Sequence, residues 1–323
     1  MQILGRMNHS VRTAFQQLTV MDDDDGLVYV FGDSEDEIES LVEGALQRTP
    51  QGKDIVIGST VKPGFIKRLQ EKTNIRAYYN PMFADPGFGV EKALNDIKEA
   101  PMVLIGGYPP DVGSGGKAVI EKIIKLHDGF TVKQKIPRVV LDVPEAEIAK
   151  LVHSSYKALN ISFANMVGDI AEEQGMKGEE ILRAFPPNGW RPYIGYGYSG
   201  TTLRDETAKL ASVVGPEAKF LLNATNEWNE IHTGRMAERM LLARPSQKGV
   251  ATAGDGQVND PCFIFQDVCH HTNGDPMGLE NLQILNIANR IAKVKRTVVI
   301  KDTPVVLDAV RKHYGDVFHY ESL

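Results

Sequence analysis

The chain has 323 residues, with 36 Lys+Arg against 42 Asp+Glu and a net charge of −6 at pH 7. Hydrophobic residues make up 42% and charged residues 24%, an ordinary globular profile, and the acidic balance argues against a nucleic-acid partner held by bulk electrostatics. The two cysteines, Cys262 and Cys269, are too few for a secreted disulfide framework and fit a cytoplasmic protein; no apolar run approaches the roughly 20 residues that span a bilayer, and the opening MQILGRMNHS leads into no signal-peptide core.

Over the first 140 or so residues, short apolar strands alternate with amphipathic helices. Leu27–Phe31 reads as a buried strand, followed by Gly32-Asp33-Ser34 and a helix over Glu35–Gln47 with Ile38, Leu41, Val42 and Leu46 on one face. Asp54–Gly58 is the next strand, and Pro63-Gly64 opens a short helix through Leu69. Ile75–Tyr79, Met102–Ile105 and Arg138–Leu141 supply further strands. This alternation predicts α/β architecture, with the strands from Leu27 to Ile105 adjacent and parallel.

From Pro144 the period changes. Pro144–Gly175 reads as one long helix, with Pro at its first turn and Gly175 as its stop. Helices follow at Gly178–Ala184, Leu203–Val214 and Glu217–Leu242, with a Pro/Gly/Tyr-rich loop over Pro186–Gly200. Ala243–Asp275, rich in Gly, Asp and Asn, is the least legible stretch. Asn281–Ala292 then reads as helix, and Thr297–Ile300, Pro304–Tyr314 and Val317–Tyr320 as strand, helix, strand. These shifts divide the chain at 1–141, 142–242 and 243–323. The acidic run Asp22–Asp25 reads as a solvated turn.

Three motifs in order carry a family signature: Ser59-Thr60-Val61-Lys62-Pro63-Gly64 after a buried strand, Tyr79-Asn80-Pro81-Met82-Phe83 before Val103-Leu104-Ile105-Gly106-Gly107, and Glu145–Lys150 opening a helix that runs on through Ala158–Asn165. From about residue 27 to 242 the chain resembles the UDP-glucose/GDP-mannose 6-dehydrogenase family. That resemblance implies a Rossmann-like sheet domain that binds NAD, a long central helix that forms a homodimer through residues 144–175, and a C-terminal α/β region completing a nucleotide-sugar site. It also implies oxidation of a primary alcohol to a carboxylate in two hydride transfers, with a cysteine thiohemiacetal between them.

The departures from that pattern bear on chemistry. A dinucleotide fingerprint needs Gly-x-Gly-x-x-Gly after the first strand, whereas Gly5 is the only glycine before Gly26. A shortened strand, helix and strand (MQILG, SVRTAFQQL, TVM) fits in that space, so the sheet is expected to be a reduced Rossmann-like one. Gly5, Gly32 and Thr60 are the positions left for cofactor contacts, and NAD binding is expected to be weak or absent. The family's catalytic loop resembles Gly197–Glu206, which puts its nucleophilic cysteine at Thr202 and its aspartate at Glu206. A thiolate is available near neutral pH; a threonine hydroxyl is not ionised without a strong base. Lys150 matches the family's helix lysine, which supports negative charge developing on oxygen. The family's asparagine four residues on is Ser154, and its Asn-Pro-Glu glutamate is Met82. Asn80, Arg191, Tyr193, Tyr196 and Gly200 are the candidate nucleotide-sugar contacts, with Arg suited to phosphate and the aromatic faces to sugar or base.

Gly113-Ser114-Gly115-Gly116-Lys117 looks like a phosphate loop, but Ala118 stands where Ser or Thr is needed, so a flexible entry to a helix over Ala118–Leu126 is the better reading. Cys262, Cys269, His270 and His271 lack zinc-site spacing, and no metal is expected. Three functions remain open: a degenerate nucleotide-sugar dehydrogenase with a binding or assembly role, an oxidoreductase making a single hydride transfer, and a structural interaction protein.

Overall fold

A computed structural model describes residues 1–6, 10–19, 26–48, 54–84, 89–107, 114–130, 136–184, 194–242, 250–251, 262–268, 279 and 282–323. The chain separates into two units, Met1–Ser154 and Ser155–Leu323.

In the first unit the chain runs β1 (Gln2–Leu4), α1 (Ser10–Leu18), β2 (Leu27–Val30), α2 (Glu35–Arg48), β3 (Asp54–Ile57), α3 (Phe65–Thr73), β4 (Ala77–Tyr79), α4 (Gly89–Lys98), β5 (Val103–Gly107), α5 (Ser114–Asp128), β6 (Arg138–Asp142) and the start of α6 (Val143–Glu173). The six strands lie in chain order, β1 to β6, with β1 to β4 parallel. A dinucleotide sheet reverses its strand order beside the first strand and binds its ligand at that reversal. Here the order has no reversal, and the 22 residues between β1 and β2 hold α1 and its connections. The sheet is therefore Rossmann-like but reduced.

Two details correct the expected parallel array. Asn74 caps α3 in the left-handed conformation, at φ 53°, so the strand expected from Ile75 begins at Ala77. More importantly, β5 runs antiparallel to β4, through the single pair Tyr79 and Gly106, and then parallel to β6. A helix between two strands permits a parallel crossover without requiring one. The crossing demands a glycine: a Cβ on Gly106 would lie 2.9 Å from both the Tyr79 Cβ and the Ala146 Cβ. The helix expected from Ala118 begins at Ser114, so the stretch Ser114–Lys117 is its first turn and not a flexible entry before it. The TVM strand beyond Thr19 and the turn Asp22–Asp25 lie outside the described residues.

Side-chain alternation gives the sheet two apolar faces. Tyr29, Val56, Tyr78 and Ile105 pack under α1, α4 and α5, while Val28, Val30, Ile55, Ile57, Ala77 and Leu104 face α2, α3 and α6. A polar knot sits inside the first face. Asn80 Nδ2 donates to the Leu104 carbonyl at 2.9 Å, which turns Oδ1 toward two donors, the Tyr29 hydroxyl at 3.0 Å and His127 Nε2 at 2.7 Å. His127 packs against Phe130 and Phe15, and its burial pushes its pKa down to about 4.

The second unit holds the rest of α6, then α7 (Gly178–Leu182), α8 (Thr202–Ala211), α9 (Pro216–Leu242), β7 (Val250–Ala251), β8 (Cys262–Gln266), α10 (Gln283–Lys293), β9 (Val298–Asp302), α11 (Pro304–Tyr314) and β10 (His319–Ser322). Its sheet has the order β10-β9-β8-β7, parallel except at β7. The stop expected at Gly175 is there: its φ is 68°, and the Met176 amide reaches back to the Ala171 carbonyl at 2.7 Å. The strand β8, with Cys262, Phe263 and Phe265 buried, was not legible in its Gly/Asp/Asn-rich surroundings. Along α6, Ile148, Val152, Tyr156, Phe163 and Ile170 stay 39–60% exposed and fall on one stripe at helical spacing.

Because His127 is held neutral in the fold but titrates near 6.5 when unfolded, the unfolded chain takes up a proton first as pH falls. The stability at stake is fully present above about pH 6.5 and lost progressively toward pH 4, by about 3 kcal/mol in total. His127→Gln keeps a donor toward Asn80, so urea titrations at pH 7.5 and 4.5 should show a smaller acid loss for that variant than for the wild type.

Candidate functional site

In the first unit the motif residues gather where α6 begins. Glu147 is fully buried, and its two carboxylate oxygens accept the amides of Gly64, at 2.6 Å, and Ile66, at 2.9 Å. The side chain thus caps α3, whose first amides have no intrahelical partner. Burial raises its pKa, against the pull of those two hydrogen bonds. One turn on, Lys150 is 2% exposed; its Nζ donates to Ser154 Oγ at 3.5 Å and lies 5.1 Å from the centre of the Phe83 ring. Of the predicted residues, Lys150 and Ser154 are therefore brought together. Thr60 sits half-buried in the connection from β3 to α3.

Other predicted positions serve packing. Asn80 is 1% exposed, with its amide committed to the core knot. Met82 is buried in the cluster around Tyr29 and Phe31, an apolar position where the family places a carboxylate. The Gly32 amide donates to Ser59 Oγ at 2.9 Å. At Gly5, with φ +139°, a Cβ would lie 2.5 Å from the Phe31 carbonyl oxygen. Among the described residues, Gly5 is thus held against the Phe31 backbone and the Gly32 amide is already bonded.

In the second unit the site is the loop from Ile194 to Thr201 and the start of α8. Thr202 is the first residue of α8, and Glu206, 5% exposed, follows one turn later. Gly197 has φ +96°, and a Cβ there would meet Asn229 Oδ1 at 2.4 Å; Gly200 has φ +80°. Both glycines are required by the backbone path. Tyr196 is 48% exposed. Arg191 and Tyr193 lie outside the described residues.

What holds this loop was missed by motif reading. The Gly195 amide donates to Asn165 Oδ1 at 2.9 Å, and its carbonyl accepts from His232 Nε2 at 2.7 Å. His232 Nδ1 faces the Asp169 carboxylate at 2.9 Å, and Arg239 reaches the same carboxylate at 2.6 Å. Burial by itself would raise the Asp169 pKa, but His232 and Arg239 outweigh it and hold the group below the ordinary value. Asn229 takes the Tyr198 amide at 2.8 Å and gives to its carbonyl at 3.1 Å. Gln283, at the start of α10, donates its amide to Ser199 Oγ at 3.0 Å. A signal for this clamp was present: Thr225, Asn229, His232 and Thr233 form a buried polar stripe on α9 at helical spacing. Among the described residues no cluster of three metal-ligating side chains occurs.

The fold comprises a reduced, mostly parallel six-stranded sheet, a 31-residue helix and a second, four-stranded sheet. The fold aligns with a UDP-glucose dehydrogenase from Pyrobaculum islandicum at TM-score 0.63 and 18% identity, covering 95% of this chain and 70% of that one. It also aligns with a UDP-N-acetyl-mannosamine dehydrogenase from Staphylococcus aureus at TM-score 0.60 and 17% identity, covering 92% and 71%. In sequence, residues 144–231 match the central domain of the UDP-glucose/GDP-mannose dehydrogenase family. The UDP-glucose 6-dehydrogenase of Streptococcus pneumoniae is 27% identical over 222 residues, 65% of this chain and 54% of that protein. That of Campylobacter jejuni is 24% identical over 203 residues, 61% and 48%. The match to this family's model is thus confined to residues 144–231, and the chain spans about half the length of the curated relatives it matches.

Glu147→Gln should expose how much the start of α6 depends on its carboxylate. One of the two α3 amides would then face an NH2 group instead of an acceptor, so stability should fall by about 1–3 kcal/mol, read as a lower urea midpoint with unchanged far-ultraviolet circular dichroism.

Proposed function

We propose that the protein is a nucleotide-sugar dehydrogenase-like homodimer that keeps the scaffold and has lost the NAD-dependent oxidation of UDP-glucose to UDP-glucuronate. Its role on this reading is binding or assembly in the cytoplasm, with a nucleotide sugar as the ligand class and Arg191, Tyr193, Tyr196 and Gly200 as its contacts. The observation that carries the reading is the start of α8, where Thr202 occupies the position that the resemblance gives to the nucleophilic thiol. A hydroxyl there has no route to the covalent step that joins two oxidations. Met82, buried and apolar, removes a second polar group from the same chemistry. The division at 1–141, 142–242 and 243–323 belongs to this reading.

Dimerisation is supported by the exposed stripe on α6. Five large apolar side chains along one helix face are more than scattered surface residues. No described helix is long and apolar enough to cross a membrane.

A second reading, a single hydride transfer from an alcohol, draws on Lys150. Its ammonium, buried beside Ser154, could stabilise an oxygen in transit between alcohol and carbonyl.

Purified protein given UDP-glucose and NAD should form no UDP-glucuronate, and Thr202→Cys should not restore it. Two NADH released per uronate by the wild type would overturn the reading, whereas one NADH with an aldehyde product would favour the second. Light scattering behind gel filtration should give a dimer mass, and Val152→Glu should shift it toward the monomer.

A further inference from the structure

We infer that the carboxyl edge of β1, β2 and β3 is filled by a side chain of its own, Phe31, which leaves no opening for a dinucleotide among the described residues of that edge. The inference deepens the proposed loss of oxidation and rests on it only for the family's choice of cofactor. In parallel α/β sheets, ligands bind outside the carboxyl ends of the strands. The register of β1, β2 and β3 pairs Leu4 with Val30 and Val30 with Ile57. The next residues, Gly5, Phe31 and Gly58, therefore stand side by side at that end, a phenylalanine between two glycines.

The row is interlocked. The Phe31 amide donates to the Leu4 carbonyl at 3.0 Å, and the Gly58 amide to the Val30 carbonyl at 2.9 Å. A Cβ on Gly58 would lie 2.4 Å from Phe31 Cε1 and 2.6 Å from Cζ, so the ring rests directly on that backbone. On the other side, a Cβ on Gly5 would lie 2.5 Å from the Phe31 carbonyl oxygen. Both glycines are thus required where Phe31 is seated. Phe31 is fully buried. Phe15 stands 5.4 Å and Tyr29 6.3 Å from its ring centre, with Phe15 in turn against Phe130.

The neighbouring helix start is equally unsuited to an anion. The Asp33 amide donates to Glu37 Oε2 at 2.9 Å, and the Glu37 amide to Ser34 Oγ at 3.2 Å. This reciprocal cap satisfies amides that a phosphate would otherwise use. The first turn of α2 also carries Glu35, Asp36 and Glu37, and Arg6 is already paired to Glu37 at 2.8 Å.

The test titrates NADH into the full-length wild type, followed by its fluorescence and by calorimetry, and compares urea midpoints of the wild type and Phe31→Ala. The wild type should show no saturable binding up to millimolar NADH. Phe31→Ala should have a lower midpoint, and benzene should raise that midpoint but not the wild type's, because an apolar cavity accepts such a guest. Saturable NADH binding by the wild type would overturn the inference, as would a Phe31→Ala variant with the wild-type midpoint. If Phe31→Ala does not fold, the wild-type titration decides alone. Binding of NADH without uronate formation would sink this inference and leave the proposed function standing; binding with uronate formation would sink both.

Discussion

The long helix takes its position in the first unit from one buried carboxylate. Glu147 accepts two amides at the start of α3, and by doing so fixes the rotation of α6 at its first turn. That rotation places Lys150 and Ser154 inward and sends Ile148 and Val152 outward. A carboxylate is costly to bury; here the two charge-assisted bonds offset the cost, and the same bonds satisfy a helix terminus that would otherwise be bare. The polar and the apolar faces of α6 therefore share one anchor.

Much of the fold was legible in the sequence, because its elements declare themselves locally. Leu27–Phe31 and Asp54–Gly58 are apolar runs, α1 is amphipathic, and the long helix shows its stop at Gly175. Strand direction is not a local property, which is why the reversal between β4 and β5 escaped a reading based on alternation. The strand at Cys262–Gln266 escaped for a different reason: its five residues stand close to Asp, Asn and Pro, whose turn chemistry hides a short apolar run. Gly5 and Gly32 show the converse limit. A glycine in sequence announces a close approach, but not whether ligand or protein makes it.

The site was legible as positions but not as contacts. Lys150 and Ser154, four residues apart, meet because a helix brings them together. Asn80 looked like a ligand group and is instead the centre of a buried knot, since its partners Tyr29, Leu104 and His127 lie 51, 24 and 47 residues away. The clamp on the 194–200 loop joins residues up to 85 apart, and only the polar stripe on α9 hinted at it.

That stripe has a consequence for motion. A segment without regular secondary structure ordinarily opens easily and exchanges its amide hydrogens fast. Here the Gly195 and Tyr198 amides end on buried side chains of α6 and α9, so neither can meet solvent until its helix contacts part. A slide of α9 by one turn, about 5.4 Å, would break the bonds from Asn229, His232 and Thr233 together. The loop is thereby part of the same cooperative unit as the helices, and its local opening costs what theirs does.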